Sequence, residues 1–557
     1  MYPRRCGLRV TGKAVIRAIC LLGLSVVALA SSQLHDLVAS GRLDDLRWPD
    51  FSDFQPSVNA FYEQGAYSPA WSHDGKISPQ AIAIIGVLMQ AESKGLNPED
   101  YDASRWAVRL ANPDLSRFDI ALTVSLMRYA SDLHLGKFDP GIYHSGFDLH
   151  HEHYELAGLI RNRLVDAPDV DAIFRELEPP FPGYQRTQTA LQRYLALARE
   201  DNGELLPLTK LPIEPGTEYS GVHRLAVLLG ELGDLPPGVV VPDTYSGALV
   251  DAVKRFQTRH GLVADGRIGK ATLAQLNTPL AKRVHQLQLT LERWRWVPHE
   301  FARPPIVVNI PEFELRALND SYATALEMKV VVGKAYRRKT PVFAADMKYL
   351  IFRPYWNVPR SITQGELLPK IIHDRGYLAA NGYEVVTADD HVVTNGVIDD
   401  DVLEKLKSGT LSVRQVPGPK NSLGLVKFIF PNEHNVYLHA TPAIQLFSQS
   451  RRDFSHGCIR VEKPELLAEW VLRDKAEWTP ERIEQAMHGE KPLQVDLARP
   501  IPVLIVYSTA VVLESGEVRF FGDVYGFDAE LDKLAAKGYP CCRWSPTSDE
   551  RDPRPRE

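Results

Sequence analysis

One thiol, Cys458, stands in the body of this chain with two imidazoles near it in sequence: His456 two residues before it and His439 nineteen before. A thiol becomes a useful nucleophile as its thiolate, which needs a cationic, dipolar or basic neighbour. If 455–458 is extended, His456 and Cys458 share a face roughly 6–7 Å apart, too far for a direct hydrogen bond. His439 ends the stretch "NVYLHAT", which reads as a strand, and an adjacent strand can carry it across to the sulfur. Alternation puts Tyr437 on the same face as His439, with Val436 and Leu438 opposite. Cys458 is therefore assigned as nucleophile and His439 as general base and acid. His456 is left to shape the turn or the oxyanion site. Gly457 permits a tight turn and close backbone approach, so the N–H groups of Gly457 and Cys458 are the expected oxyanion donors. A helix starting at Pro464 would lower the thiol pKa further if its N-terminal dipole points the right way.

Other readings use the same residues. A free cysteine is often a small core hydrophobe. His434, His439, His456 and Cys458 are also zinc-ligand types, but no Cys-x-x-Cys or His-x-x-x-His pair accompanies them. The expectation is no metal and no cofactor. Of five cysteines, Cys6 and Cys20 lie near the N-terminus, and the adjacent Cys541 and Cys542 suit neither a disulfide framework nor a metal site. In an oxidising compartment the unpaired Cys458 asks for a chemical role. Arg451, Arg452 and Arg460 surround the motif. The first two read as a solvated loop, while Arg460 lies within the motif and is a candidate partner for a substrate carboxylate.

The elements that must position these residues follow from length and periodicity. At 557 residues the chain should hold two to four domains. A hydrophobic fraction of 44%, a charged fraction of 24% and a net charge of −6 are ordinary for a soluble protein and give no footprint for nucleic acid. Residues 1–30 carry Arg4, Arg5, Arg9, Lys13 and Arg17, then an apolar run ending in an Ala-x-Ala pattern. That is an export signal or an N-terminal anchor, and the only membrane contact expected. Residues 45–215 read as a helical scaffold, with Ile120, Val124, Met127 and Leu133 at helical spacing before Gly136, and Leu191, Tyr194, Leu195 and Ala198 repeating the pattern. A compact module follows at 217–278, with Leu225, Leu228, Leu229 and Leu232 on one face and Leu249, Ala252, Val253 and Phe256 on another. A helix over 279–302 returns to the scaffold. From 303 the period changes to short strands, and a β-rich domain extends to 497, interrupted by a mixed segment at 361–421. Residues 498–545 read as a β extension and 546–557 as a disordered tail.

Two resemblances are carried by specific residues. The run "AVKRFQ…HGL…DGRIGKATLAQLN" resembles the three-helix peptidoglycan-binding domain. His439, a fifteen-residue gap and then Ser455-His456-Gly457-Cys458-Ile459-Arg460 resemble the L,D-transpeptidase (YkuD) family. The order of helical scaffold, binding module, "LERWRWVP" and interrupted catalytic domain is similar to its large Gram-negative type. What the resemblance implies is a multidomain α+β protein with a β-sandwich-like catalytic fold and a capping insertion at 361–421. It also implies a two-step transfer in which Cys458 takes an acyl group from a tetrapeptide stem, releasing D-Ala. A diamino-acid side-chain amine would then resolve the thioester into a 3→3 cross-link. Hydrolysis, lipoprotein anchoring, D-amino acid exchange and a non-catalytic wall-binding role stay open. Peptidoglycan stem peptides are the implied partner, with other cell-wall enzymes besides, and carbapenems would acylate the same cysteine. Ser455, His456, Gly457 and Tyr437 would support the site. Tyr355, Trp356 and Arg360 are candidate substrate contacts beside Arg460. Ala440 stands where smaller family members often carry Gly or Ser; if that residue's carbonyl orients the His, alanine serves equally.

Overall fold

Residues 31–142, 145–147 and 155–538 are described in a computed structural model. The expected export signal or anchor at 1–30 with Cys6 and Cys20, the pair Cys541 and Cys542, and the tail 546–557 lie outside the described residues. No helix among the described residues is long and apolar enough to cross a membrane.

Helices α1 (Gln55–Gln64), α2 (Pro79–Met89), α3 (Leu115–Leu135) and α4 (Val170–Leu177) close around one apolar cluster that includes Phe61, Trp71, Leu126 and Phe174. Within α3 the residues at helical spacing, Ile120, Val124, Met127 and Leu133, are all fully buried. Asp114 caps its N-terminus by accepting from the Arg117 N–H, and Gly136 ends it at φ 88°. The next helix, α5 (Pro182–Glu200), leaves this group: Tyr184, Leu191 and Tyr194 pack into the core of the β domain instead.

The small module comprises α6 (Val222–Leu232), α7 (Ala248–Arg259) and α8 (Lys270–Leu276) around their own apolar cluster. Its signature residues have a local purpose. The Gln257 amide donates to Asp265 Oδ1 (3.0 Å) and to the Arg267 carbonyl (2.9 Å) and accepts from the Gly266 N–H (2.8 Å). That closes the turn between α7 and α8 without leaving a buried amide unpaired. Helix α9 (Leu280–Arg295) then runs back beside α5. Glu292 accepts from the N–H groups of Lys137 (2.6 Å) and Phe138 (2.9 Å), which ties α9 to the end of α3.

The β domain is built from β1 (Ile306–Asn309), β2 (Glu314–Leu318), β3 (Thr324–Gly333) and β4 (Val342–Phe352). An insertion follows, with β5 (Trp356–Asn357), α10 (Leu368–His373), β6 (Tyr383–Val386), β7 (Val392–Thr394), α11 (Asp400–Ser408) and β8 (Ser412–Gln415). It carries its own four-stranded sheet, in the order β5-β8-β6-β7, over an apolar cluster containing Ile371, Leu378 and Val385. Because Trp356 pairs with Gln415, the inserted sheet starts five residues before the expected boundary at 361.

The chain rejoins the main sheet with β9 (Val426–Ile429), β10 (Leu438–His439), β11 (Asp453–Ser455) and β12 (Ile459–Val461), then helices α12 (Pro464–Leu472) and α13 (Pro480–His488) and strand β13 (Leu493–Val506). The order β9-β10-β12-β3-β2-β1-β13-β4 is joined at its ends by β4–β9 pairing, so the expected two faces form one closed ring. The β extension expected from 498 differs in two ways. Strand β13 is part of this ring, since Ile501, Val503 and Ile505 alternate inward as buried residues. After a hairpin of β14 (Ala510–Val512) and β15 (Val518–Phe520), the chain turns into helix α14 (Phe527–Ala535), where buried Phe527 and Leu531 sit four apart.

Candidate active site

Register assembles the site. Strand β10 pairs parallel with β12, Leu438 opposite Ile459 and His439 opposite Arg460, and antiparallel with β9, Phe428 opposite Leu438 and Lys427 opposite His439. Leu438, Ile459 and Phe428 are fully buried in the core. Alternation therefore turns Tyr437, His439, Arg460 and Lys427 to the other face, where Cys458 follows β11 in a bend. Lys427, from another strand and 31 residues upstream of the thiol, was not a sequence candidate.

Cys458 is a free cysteine, half-buried. Its Sγ lies 3.7 Å from the Asn435 carbonyl and is hydrogen-bonded by Tyr437 through both its N–H and its hydroxyl. Burial pushes the thiol pKa up; the Tyr437 bonds and the charges of Arg460 and Lys427 oppose that rise. Burial in turn pushes both cations down, with the Cys458 sulfur supporting their charged forms. The Arg460 Nε is buried without a hydrogen-bond partner.

His439 is 4% exposed. Its Nδ1 donates to the Ala440 carbonyl at 2.6 Å, which fixes the tautomer and leaves Nε2 as the basic nitrogen. Burial first, then the Arg460 charge, lowers its pKa to about 3, so the ring is neutral at physiological pH. Tyr437 touches both partners: besides its bonds to the sulfur, its ring lies 5.7 Å from the imidazole, centroid to centroid.

The loop that carries Cys458 corrects one expectation. The Gly457 N–H donates to Ser455 Oγ (3.1 Å), and Ser455 Oγ donates to the Cys458 carbonyl (2.5 Å). Gly457 N–H is thus committed to holding the turn and is not free to serve as the expected oxyanion donor; of the two expected donors Cys458 N–H remains. Gly457 sits at φ 122°, a conformation closed to other residues without strain. His456 turns away from the sulfur, its Nε2 hydrogen-bonded to Glu366, which also pairs with Arg338 at 3.2 Å. Glu366 comes from the insertion and went unnoticed in the sequence.

Other candidates fall elsewhere. Arg452 is buried rather than solvated, because its guanidinium donates to the carbonyls of Phe313 (2.9 Å), Val330 (3.2 Å) and Gln449 (2.8 Å). Arg451 is exposed and pairs with Asp453 at 2.6 Å. Arg360 donates to the Ser408 carbonyl (2.9 Å), Trp356 lies in β5 against Tyr383, and Tyr355 lies under the Arg414 guanidinium at 4.3 Å. All three are engaged within the insertion. Helix α12 starts beyond β12, about 10 Å of strand rise past Cys458, and its N-terminus is not at the thiol. Among the described residues no group of three or more His, Cys, Asp or Glu is placed to hold a metal ion.

Comparison with known proteins matches residues 303–495 to the L,D-transpeptidase catalytic domain (YkuD), residues 219–276 to a "putative peptidoglycan binding domain" and residues 56–191 to a scaffold domain. A Haemophilus influenzae protein described as "Putative L,D-transpeptidase" is 32% identical over 247 residues, 44% of this chain and 49% of that one. The chain thus spans about half the length of that relative. A solved L,D-transpeptidase (residues 123–326) from Xylanimonas cellulosilytica is 14% identical and covers 54% of this chain and 100% of its own, with a TM-score of 0.17, too loose a superposition to bear on the fold.

Proposed function

We propose, from an L,D-transpeptidase catalytic domain carried on the same chain as a peptidoglycan-binding domain, that this protein is an exported cell-wall acyltransferase with Cys458 as nucleophile. The observation that carries the reading is the shared face of β10 and β12. On that face stand a thiol, a buried neutral imidazole with a fixed tautomer and two cations, which supports the reading.

At neutral pH both the thiol and His439 start uncharged. As sulfur attacks the carbonyl of the third stem residue, the thiol proton passes to His439 Nε2 and the carbonyl electrons move to oxygen. Collapse of that intermediate breaks the C–N bond to D-Ala, whose amine takes the proton back from His439, leaving a thioester. The side-chain amine of a second stem attacks the thioester, and His439 again carries the proton, now to the departing sulfur. Arg460 and Lys427 favour anionic sulfur and attract stem carboxylates. The binding module keeps the enzyme on its polymer.

The test is intact-protein mass spectrometry of the chain and its Cys458→Ala variant, each incubated with a disaccharide-tetrapeptide. An adduct on the parent only, with D-Ala released and a 3→3 dimer formed, is the expected result. Release of tripeptide alone would make the protein a hydrolase. No adduct on a folded, reduced parent would overturn the enzyme reading.

A further inference from the structure

The nucleophile loop is held from behind by residues outside its motif. Thr340, in the loop between β3 and β4, donates from Oγ1 to the Gly457 carbonyl at 2.8 Å and accepts from the Gly333 N–H at 2.8 Å. Its own N–H donates to the Tyr525 hydroxyl at 3.2 Å, and that hydroxyl donates to the Gly333 carbonyl at 2.6 Å. Thr340 is fully buried and Tyr525 nearly so. Tyr525 is fixed in turn, its N–H donating to the Tyr507 hydroxyl at 2.9 Å. The fit is close: a Cβ at Gly333 would stand 3.1 Å from Gly457 Cα and 2.8 Å from the Thr340 nitrogen. Thr340, 117 residues before Gly457, thus holds that residue's carbonyl, and Tyr525, 68 residues after it, holds Thr340 and Gly333 in place.

That plane is the one that matters for the chemistry. A trans peptide points its C=O and N–H in opposite directions. Anchoring the Gly457 carbonyl on Thr340 therefore aims the Cys458 N–H the other way, and with the Gly457 N–H taken by Ser455 it is the loop's remaining donor. Without the anchor, a glycine at φ 122° is free to let the peptide flip.

We infer that Thr340 and Tyr525 are positioning residues for the oxyanion site, acting through the Gly457–Cys458 peptide. The inference rests on the acyl-transfer reading above. It gives the segment after 495, beyond the matched catalytic domain, a part in the reaction: Tyr525 belongs to it. When sulfur bonds to the carbonyl carbon, the oxygen gains the π electrons and needs the aimed N–H. When sulfur merely displaces iodide from iodoacetamide, no oxyanion forms and the anchor is irrelevant.

The experiment compares the full chain with Thr340→Val, Thr340→Ser and Tyr525→Phe. Two rates are read for each: acylation of Cys458 by a carbapenem, and alkylation of Cys458 by iodoacetamide in the native state. Thr340→Val is expected to slow acylation about 10²-fold, the scale of a lost or misaimed oxyanion donor, with alkylation unchanged. Tyr525→Phe should fall in the same direction by less, and Thr340→Ser, which keeps the hydroxyl, should restore the parent rate. Equal acylation in Thr340→Val and parent, or equal loss of both rates in every variant, overturns the inference. A parent that is alkylated but never acylated fails at the reading beneath it, and the inference falls with it. Tyr525→Phe removes one oxygen, so it keeps the question open to test if Thr340→Val does not fold.

Discussion

Glu366, on the insertion, is hydrogen-bonded to His456, two residues before Cys458. Its second partner, Arg338, sits in the loop that carries Thr340, so one carboxylate pins the insertion to both walls of the site. Exchanging it for an amide keeps the shape and removes the charge. Glu366→Gln is expected to speed hydrogen exchange across 363–373 and to raise KM for the stem peptide several-fold. Iodoacetamide alkylation of Cys458 should hold its rate. Exchange identical to the parent would show that the contact does not hold the insertion down.

His439 ties stability to pH. Its folded pKa of about 3 lies below the ordinary histidine value of ~6.5, so between those values the unfolded chain binds a proton that the folded chain refuses. Stability is therefore intact above ~6.5 and is lost as pH falls toward 3, by about 1.4 kcal/mol per unit from this group. Buried His260, also held well below its ordinary value, adds to the parent and to any His439 variant alike. Chemical denaturation at pH 7, 6 and 5 should show His439→Asn losing less per unit than the parent. Parallel curves would mean that the imidazole is protonated in the fold.

Lys427 and Arg460 both favour the thiolate. Replacing either with methionine removes that support at similar length. The alkylation-against-pH profile of Cys458 should move alkaline by about one unit for each variant. An unmoved profile in both would leave Tyr437 as the group that matters.

Arg293 on α9 pairs with Asp528 on α14 at 2.5 Å, both sides nearly buried, and Asp528 also accepts from Thr509 Oγ1 at 2.5 Å. Asp528→Ala removes the carboxylate that a nearly buried guanidinium pairs with and is expected to cost about 3–5 kcal/mol, read by urea denaturation. A loss below 1 kcal/mol would show that water reaches the pair.

The sequence exposed what is local or periodic. Cys458 with His439, the small module's run from Ala252 to Asn277 and the buried stripe of α3 each lie within a short window; the stripe is buried and the module is matched. What it hid is made by distance. Thr340, Lys427, Glu366 and Tyr525 come from four separate segments, and nothing in their own neighbourhoods marks them. The Gly457 N–H went to Ser455 because a side chain two residues away competes for the same donor, a choice spacing alone does not decide. Arg452 looked solvated beside Arg451, yet three carbonyls line up to receive it. Helix α14 followed a hairpin closely enough to be read as more strand.

The ring closes late. Val503 of β13 pairs with Ile306 of β1, across 197 residues that include the insertion and the whole nucleophile motif. A chain cut after α13 would keep Cys458, His439, Lys427 and Arg460, lose Tyr525, and expose the edges of β1 and β4, unpaired and ready to join other chains. During synthesis those edges wait for β13, and a pairing so remote in sequence forms slowly. Quality control of this protein therefore rests on the strand that closes the ring: a nick or frameshift in β13 favours aggregation before it yields a folded but inactive chain.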